Sequence, residues 1–251
     1  MTSFDLTGRW AIVTGANTGI GQAIAVGLAR AGADIVGVGR SDMHATETEV
    51  TAIGRTFLSI SADLSKTGEA AKVVERALAA GATPDILVNN AGIIRRADAL
   101  DFSEEDWDAV LDTNLKSVFF LCQAFAKAAI AAGRGARIIN VASLLSFQGG
   151  IRVPSYTAAK SGLAGLTKLM ANEWAARGIN VNAIAPGYVE TINTAALRAD
   201  AERSADILKR IPAGRWARAD DMAGAAVFLA SPAADYVHGV ILPVDGGWLA
   251  R

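Results

Sequence analysis

The chain has 251 residues, a formal net charge of −1, 51% hydrophobic and 20% charged residues, which excludes a disordered chain and allows a substantial core. No block of Lys or Arg occurs, so neither a nucleic-acid nor an anionic-membrane partner is expected. Cys122 is the only cysteine, which rules out an intrachain disulfide, and His44 and His238 are too far apart to suggest metal-ligand spacing, so no metal is expected.

The opening residues carry neither the basic region nor the apolar run of a secretory signal. The most apolar long segment, Val118 to Ala132, is broken by Gln123 and Lys127 and is too short to span a bilayer. A cytoplasmic protein is expected.

Trp10 to Thr14 reads as a buried strand ending at Gly15. The turn Gly15-Ala-Asn-Thr-Gly19-Ile-Gly21 leads into a helix over 22–31, with Ile20, Ala23, Ile24, Gly27 and Leu28 at helical spacing. A second strand, Asp34 to Val38, closes a βαβ unit. Strand signals recur at 55–61, 85–88, 137–141, 179–185 and 240–244, with helical segments at 69–80, after Ser103, over 114–132, and from about Tyr156 to Arg177 before Gly178. Ser103 is the expected N-cap of its helix, with Asp106 approximating a capping box. This alternation predicts one α/β domain over residues 1–251: a Rossmann-type, doubly wound, seven-stranded parallel sheet with helices on both faces. Ligands of such sheets bind at the carboxyl ends of the strands, where Asn89 to Gly92, Ser143 and Pro186-Gly187 fall.

Tyr156 and Lys160 are spaced i, i+4 and share a helix face. A Lys⁺ beside a phenol favours the phenolate and lowers its pKa, which makes a proton donor of Tyr156. Strand, glycine turn and helix together aim free N–H groups at a phosphate, although the spacing differs from the G-x-G-x-x-G fingerprint. No carboxylate ends the second strand to hold the adenosine ribose; Asp42 lies just beyond. Arg40 with Ser41 suits a 2′-phosphate, hence NADP, while Arg40 stacking on adenine or facing water is the alternative.

The run Thr14-Gly-x3-Gly-Ile-Gly21, Asp63, Asn89 to Gly92, Asn114, Ser143, Tyr156-x3-Lys160 and Pro186-Gly187 resembles the short-chain dehydrogenases/reductases over essentially the whole chain. The resemblance implies a catalytic group of Asn114, Ser143, Tyr156 and Lys160, with Asn114 holding a water and Lys160 also bonding the nicotinamide ribose. It implies that NAD(H) or NADP(H) is held by Gly15, Asn17, Thr18, Gly19, Ile20, Gly21, Arg40, Ser41, Asp63, Leu64, Asn90, Ala91, Gly92, Tyr156, Lys160, Pro186, Gly187, Val189 and Thr191. Arg95-Arg96, the 146–155 segment, 171–174 and the tail 245–251 are similar to a sugar-acid branch of that family. This implies reduction of 2,5-diketo-3-deoxygluconate to 2-keto-3-deoxygluconate in uronate breakdown. That branch leans to NAD where Gly39-Arg40 leans to NADP.

An acidic sugar carries a carboxylate, which Arg grips bidentately. Arg95, Arg96 and Arg152 are candidates for that contact, with surface or interface ion pairs as the alternative for each. Gln148 and Asn193 are candidates for sugar hydroxyls, alongside Ser143 and Tyr156. The insert 191–216 reads as a flap, or else a fixed helix pair, with Ala196, Leu197, Ile207, Leu208 and Ile211 as one apolar stripe. Helices around 112–132 and 156–176 are expected to pair into a homotetramer, with Phe119, Phe120 and Leu121 apolar on more than one face. Two other readings stay open: a different short-chain dehydrogenase, acting on 3-oxoacyl groups or sugar alcohols, and a non-catalytic dinucleotide sensor.

Overall fold

A computed structural model describes residues 3–66 and 68–251; the first two residues of the predicted domain and residue 67 lie outside the described residues. Seven strands, β1 (Trp10–Thr14), β2 (Asp34–Gly39), β3 (Phe57–Ser61), β4 (Pro84–Asn89), β5 (Ala136–Val141), β6 (Ile179–Pro186) and β7 (Ile241–Val244), form one sheet in the order β3-β2-β1-β4-β5-β6-β7. Every pairing is parallel. The order reverses between β1 and β4, which opens a crevice at the carboxyl ends of the strands.

Alternate side chains of each strand enter opposite apolar layers, as the two-residue strand period requires. Ala11, Val13, Ile35, Ile86, Val88 and Ile139 pack under α1 (Gly19–Arg30) and α9 (Ala223–Ala230). Ile12, Val36, Leu87, Ile138 and Val181 pack under α3 (Glu69–Ala79), α5 (Ser117–Ala131) and α6 (Pro154–Trp174). Burial on both faces explains why the strands read as continuous apolar runs. Between β4, β5 and α6 a buried polar chain crosses the second layer. Asn89 Nδ2 donates to Asn140 Oδ1 and Asn140 Nδ2 to Thr167 Oγ1, each at 2.9 Å.

The structure departs from the sequence reading at several points. β3 begins at Phe57 rather than Arg55, because Arg55 closes the turn after α2 (His44–Ala52): its N–H bonds Val50 O at 3.2 Å and its guanidinium Gly32 O at 3.1 Å. α2 was not legible in the chain, since only Thr46 and Val50 of its nine residues are buried. Its Thr46 hydroxyl donates to Ala16 O at 2.7 Å and so braces the glycine turn. α9 also escaped the reading; a helix apolar all round has no amphipathic stripe to detect. The helix expected over 114–132 is continuous with α4 (Glu104–Leu111) through a π-helical turn, Asp112–Lys116. Ser103 caps α4 through a 3.2 Å bond from Asp106 N–H, but the capping box is half formed, because the Asp106 carboxylate bonds Arg95 Nε at 3.0 Å.

The glycine turn depends on side chains being absent where the backbones meet. A Cβ on Gly21 would overlap the Gly15 carbonyl and the Asn90 amide. Gly21→Ala is therefore expected to lower stability by about 1–3 kcal/mol and to remove dinucleotide binding. Urea unfolding and a nicotinamide fluorescence titration measure the two effects, and an alanine variant with parental affinity would contradict this packing.

Candidate active site and dinucleotide cleft

Thr14, the last residue of β1, ties the glycine turn to the end of β4. Its hydroxyl accepts from Asn90 N–H at 3.0 Å and Ala91 N–H at 2.9 Å. Asn90 Nδ2 donates back to Thr14 O at 3.0 Å and Gly15 O at 3.3 Å. Gly15 sits at φ +66°, in the left-handed region that glycine enters without a steric penalty. α1 starts at Gly19 with no side-chain cap from Thr18 and no acid in its first turn. Its leading N–H groups are thus left for an anion. Thr191 approaches from the opposite side, its Cγ2 3.5 Å from where a Gly19 Cβ would stand.

A cleft of about 370 Å³ runs from Gly15 and Asn17 past Arg40, Ser41, Asp63 and Leu64 to Gly92 and Thr113. Thr113 lines its wall, with a hydroxyl that is buried without a hydrogen-bond partner among the described residues, and the glycine turn adds a phosphate cradle. These features fit a dinucleotide. At the adenosine end Asn17 Nδ2 bonds Ser41 Oγ at 2.8 Å, and Arg40 lies 3.9 Å from Asp63. Asp42, just beyond the tip of β2, accepts from His44 N–H at 3.2 Å at the start of α2.

Ser143 follows β5, while Tyr156 and Lys160 lie one turn apart on α6. Pro154 starts that helix, where a missing N–H costs nothing. Lys160 is buried and donates through Nζ to Val141 O at 2.6 Å, with Nζ 5.5 Å from the Tyr156 ring centre. Ser146 Oγ donates to Lys160 O at 2.7 Å and Ser161 Oγ to Leu145 O at 2.9 Å, which lock the loop after Ser143 onto α6. Ser143 Oγ accepts from Leu145 N–H at 3.2 Å.

Burial pushes the Tyr156 phenol above its ordinary value, against opposing effects from the neighbouring Ser143 hydroxyl and the Arg96 charge. This corrects the expectation that Lys160 lowers it. Lys160 is itself pushed down to about 8 by burial, and its amine is directed at the Val141 carbonyl. Asn114 Oδ1 accepts from Ile93 N–H at 2.9 Å and its Nδ2 donates to Ile93 O at 2.8 Å, so the amide also braces the loop after β4, a role the sequence did not suggest. The π turn carrying Asn114 alters the i→i−4 pattern of backbone bonds beside the site.

A second cavity of about 390 Å³ opens beyond Tyr156, lined by Ser143, Gln148, Arg96, Arg152, Tyr188, Asn193 and Arg203 among others. The three predicted arginines therefore do not converge. Arg95 lines the dinucleotide cleft and pairs with Asp106. Arg152 faces the cavity but pairs with Asp98 at 3.2 Å, and its carbonyl accepts from Ala97 N–H. It is the one non-glycine with positive φ (63°) among the described residues, strain that marks a constrained loop. Arg96 alone faces the phenol, and its Nη2 donates to Asn193 O at 2.9 Å. Gln148 Oε1 accepts from Trp248 Nε1 at 3.3 Å.

Pro186-Gly187 ends β6, and the chain beyond is clamped by Glu190 N–H to Ala217 O (2.8 Å) and Ala217 N–H to Tyr188 O (2.9 Å), with Val189 buried between. The expected single stripe of the insert is split. It folds as α7 (Ala195–Ala199) and α8 (Ala201–Arg210), broken at Asp200. Ile207 and Ile211 are buried against Leu144, Trp216 and Trp248, with Leu197 packed beside them, while Leu208 points outward and Ala196 is exposed at the cavity wall. Thr14, Ser146, Ser161, Tyr188 and Arg203 escaped the sequence reading as site residues, because small hydroxyls and a surface arginine carry no local signal. Tyr188, directly after Pro186-Gly187, was the most findable of them.

A sequence-family model described as enoyl-(acyl carrier protein) reductase matches residues 15–249. The chain belongs to the short-chain dehydrogenase/reductase family, whose members are oxidoreductases, and the resemblance drawn from the sequence holds. It is 61% identical to the 2-dehydro-3-deoxy-D-gluconate 5-dehydrogenase of Escherichia coli (strain K12), across 100% of this chain and 99% of that one. Its fold matches an Agrobacterium tumefaciens protein provisionally designated a 2-deoxy-D-gluconate 3-dehydrogenase and solved with bound NADP (TM-score 0.95, 62% identity, 100% of both chains). It also matches a gluconate 5-dehydrogenase from Burkholderia cenocepacia J2315 in complex with NADP and tartrate (TM-score 0.95, 40% identity, 100% of this chain and 98% of that one).

The buried Lys160 makes stability depend on pH. Its folded pKa of about 8 lies below the unfolded value of 10.5, so between these the unfolded chain holds a proton that the folded chain has released, and this group's contribution rises with pH. Urea unfolding of the parent and of Lys160→Met, without cofactor, should show the variant's advantage shrinking from pH 8 to pH 10. A pH-independent difference would contradict the burial of this amine.

Proposed function

We propose that the protein interconverts a keto and a hydroxyl group on an acidic deoxy-sugar, reducing 2,5-diketo-3-deoxygluconate to 2-keto-3-deoxygluconate in uronate breakdown, with NADP(H) as the preferred dinucleotide. The observation that carries this reading is that Ser143 and Tyr156 share one cavity with Arg96, so a proton donor stands beside a basic wall suited to an acid. The names and bound ligands of the similar proteins point to the same substrate class and to NADP. Arg40 and Ser41 line the adenosine end of the cleft, where a guanidinium and a hydroxyl suit a 2′-phosphate.

Thr14, Gly15, Asn17 to Gly21, Asn90 to Gly92 and Thr191 would hold the dinucleotide, which supplies hydride when bound. The residues of this chain manage the proton. In reduction Tyr156, a phenol that holds its proton at neutral pH, delivers it to the forming alkoxide. Ser143 donates a hydrogen bond to the same oxygen and stabilises its developing charge. Lys160 fixes α6 on β5 and, in its charged form, supports the phenolate left behind. Asn114 keeps the Ile93 loop in place at the mouth of both cavities.

Assembly as a homotetramer belongs to this reading. Phe119, Ile130, Leu166, Leu169 and Trp174 line an apolar groove between α5 and α6, a surface that suits burial against a second copy. A cytoplasmic setting agrees with the free Cys122, and no helix among the described residues is long and apolar enough to cross a membrane.

Nicotinamide absorbance followed with a diketo-deoxyuronate pool, with NADPH and NADH in parallel, should show oxidation of NADPH in preference to NADH. Oxidation of neither overturns the substrate assignment. Tyr156→Phe should lower kcat by about 10²–10⁴-fold with cofactor affinity retained, and a near-parental rate would remove Tyr156 as proton donor. Light scattering should give the mass of four chains, and a monomer at micromolar concentration would refute the assembly.

A further inference from the structure

Two guanidinium groups, on separate elements, border the cavity beside Tyr156 without a carboxylate partner. Arg96 precedes α4 and hydrogen-bonds only the Asn193 carbonyl. Arg203 lies on α8, in the insert, where its backbone N–H bonds the capping carboxylate of Asp200 at 3.0 Å. Among the described residues neither joins an ion pair, whereas Arg152 in the same wall is paired with Asp98. Asp200 is the one carboxylate in the wall, and it is engaged at the start of α8. The cavity therefore carries uncompensated positive charge.

The two cations stand at different places. Arg96 is close enough to the Tyr156 phenol to draw its pKa down, and Arg203 does the same to Tyr188. Tyr188 is held by its neighbours, with ring centres 5.4 Å from Trp216 and 4.7 Å from Trp248. Arg210, the other cation near Tyr188, is spent on the Trp248 ring at 4.0 Å. Arg203 is not spent. It lies one turn before Ile207, the buried residue that seats α8, and lines the cavity from the exposed rim of the insert.

A sugar acid reacting at carbon 5 has its carboxylate on carbon 1, at the other end of the chain. With carbon 5 against Tyr156, beside Arg96, a carboxylate reaching Tyr188 and α8 would meet Arg203. We propose that Arg203 is the specificity-determining residue for the substrate carboxylate, gripping it from the insert, while Arg96 serves the reacting end. This deepens the proposed function and rests on it. A guanidinium on α8 would tie the acid group to the insert, which hydroxyl contacts elsewhere in the cavity would not do.

The test uses the full-length protein with NADPH and two substrates, the 2,5-diketo acid and its methyl ester, which keeps the shape and removes the charge. Arg203→Gln should raise KM for the acid roughly 10- to 100-fold, with kcat within a few-fold. KM for the ester and the affinity for NADPH should match the parent, and Arg203→Lys should fall between parent and Gln variant for the acid. An unchanged KM for the acid overturns the proposal. So does an equal rise for acid and ester, which marks a structural effect on the insert. If the parent itself turns over neither compound, the proposed function fails and this inference with it; if the parent reduces the acid and Arg203→Gln is unaffected, only the role of Arg203 falls.

Discussion

A lysine amine buried against the last carbonyl of a central strand holds the site together. Lys160 reaches Val141 O at 2.6 Å and thereby fixes the register of α6 over the end of β5. Tyr156, one turn earlier on α6, and Ser143, two residues beyond Val141, are set relative to one another by that single bond and by the Ser146 and Ser161 bonds around it. Burying an amine is costly, and the charged form is disfavoured here, as its pKa of about 8 shows. The arrangement makes stability depend on the protonation of a residue one turn from Tyr156 in the candidate site.

The same burial governs the phenol. Tyr156 is raised above its ordinary value because desolvation outweighs the favourable effects of Ser143 and Arg96. A protonated tyrosine at neutral pH is the form needed to deliver a proton to an alkoxide. The reverse reaction needs the phenolate, and the positive charges of Lys160 and Arg96 are the groups placed to support it. Direction of proton flow is thus poised by opposing local effects of desolvation and charge.

Around this rigid centre the insert is attached by fewer and more specific contacts. Its base is clamped by backbone bonds to Ala217, its start by Arg96 on Asn193 O, and its far end by Ile207 and Ile211 against Trp216 and Trp248. The C-terminal Arg251 adds a bond to Lys209 O at 2.8 Å. Chemistry therefore resides on sheet and α6, while the groups facing the rest of the substrate are carried on a segment held mainly at its ends.

The sequence by itself determined the sheet and picked out the candidate site residues, because both are written in short-range patterns. Apolar strand runs, a glycine turn and an i, i+4 Tyr/Lys pair are read without knowing the fold, and the parallel order then forces Ser143, Asn90 and Gly187 to one edge. Tertiary structure alone decided which polar groups are free. Arg95, Arg96 and Arg152 look equivalent in the chain, yet Asp106 takes the first and Asp98 the third, because loops far apart in sequence meet there. Asn114 bonds both the N–H and the carbonyl of Ile93, Asp42 accepts from His44 N–H at the start of α2, and Arg203 lines the cavity from an insert that Ile207 and Ile211 seat against Trp216 and Trp248. The phenol's pKa direction was likewise invisible, since spacing records that Lys160 is near Tyr156 but not that Lys160 is buried and the phenol half-buried and desolvated at the cavity wall. A lysine and a tyrosine four residues apart specify a pair; only the packing around them specifies its charge.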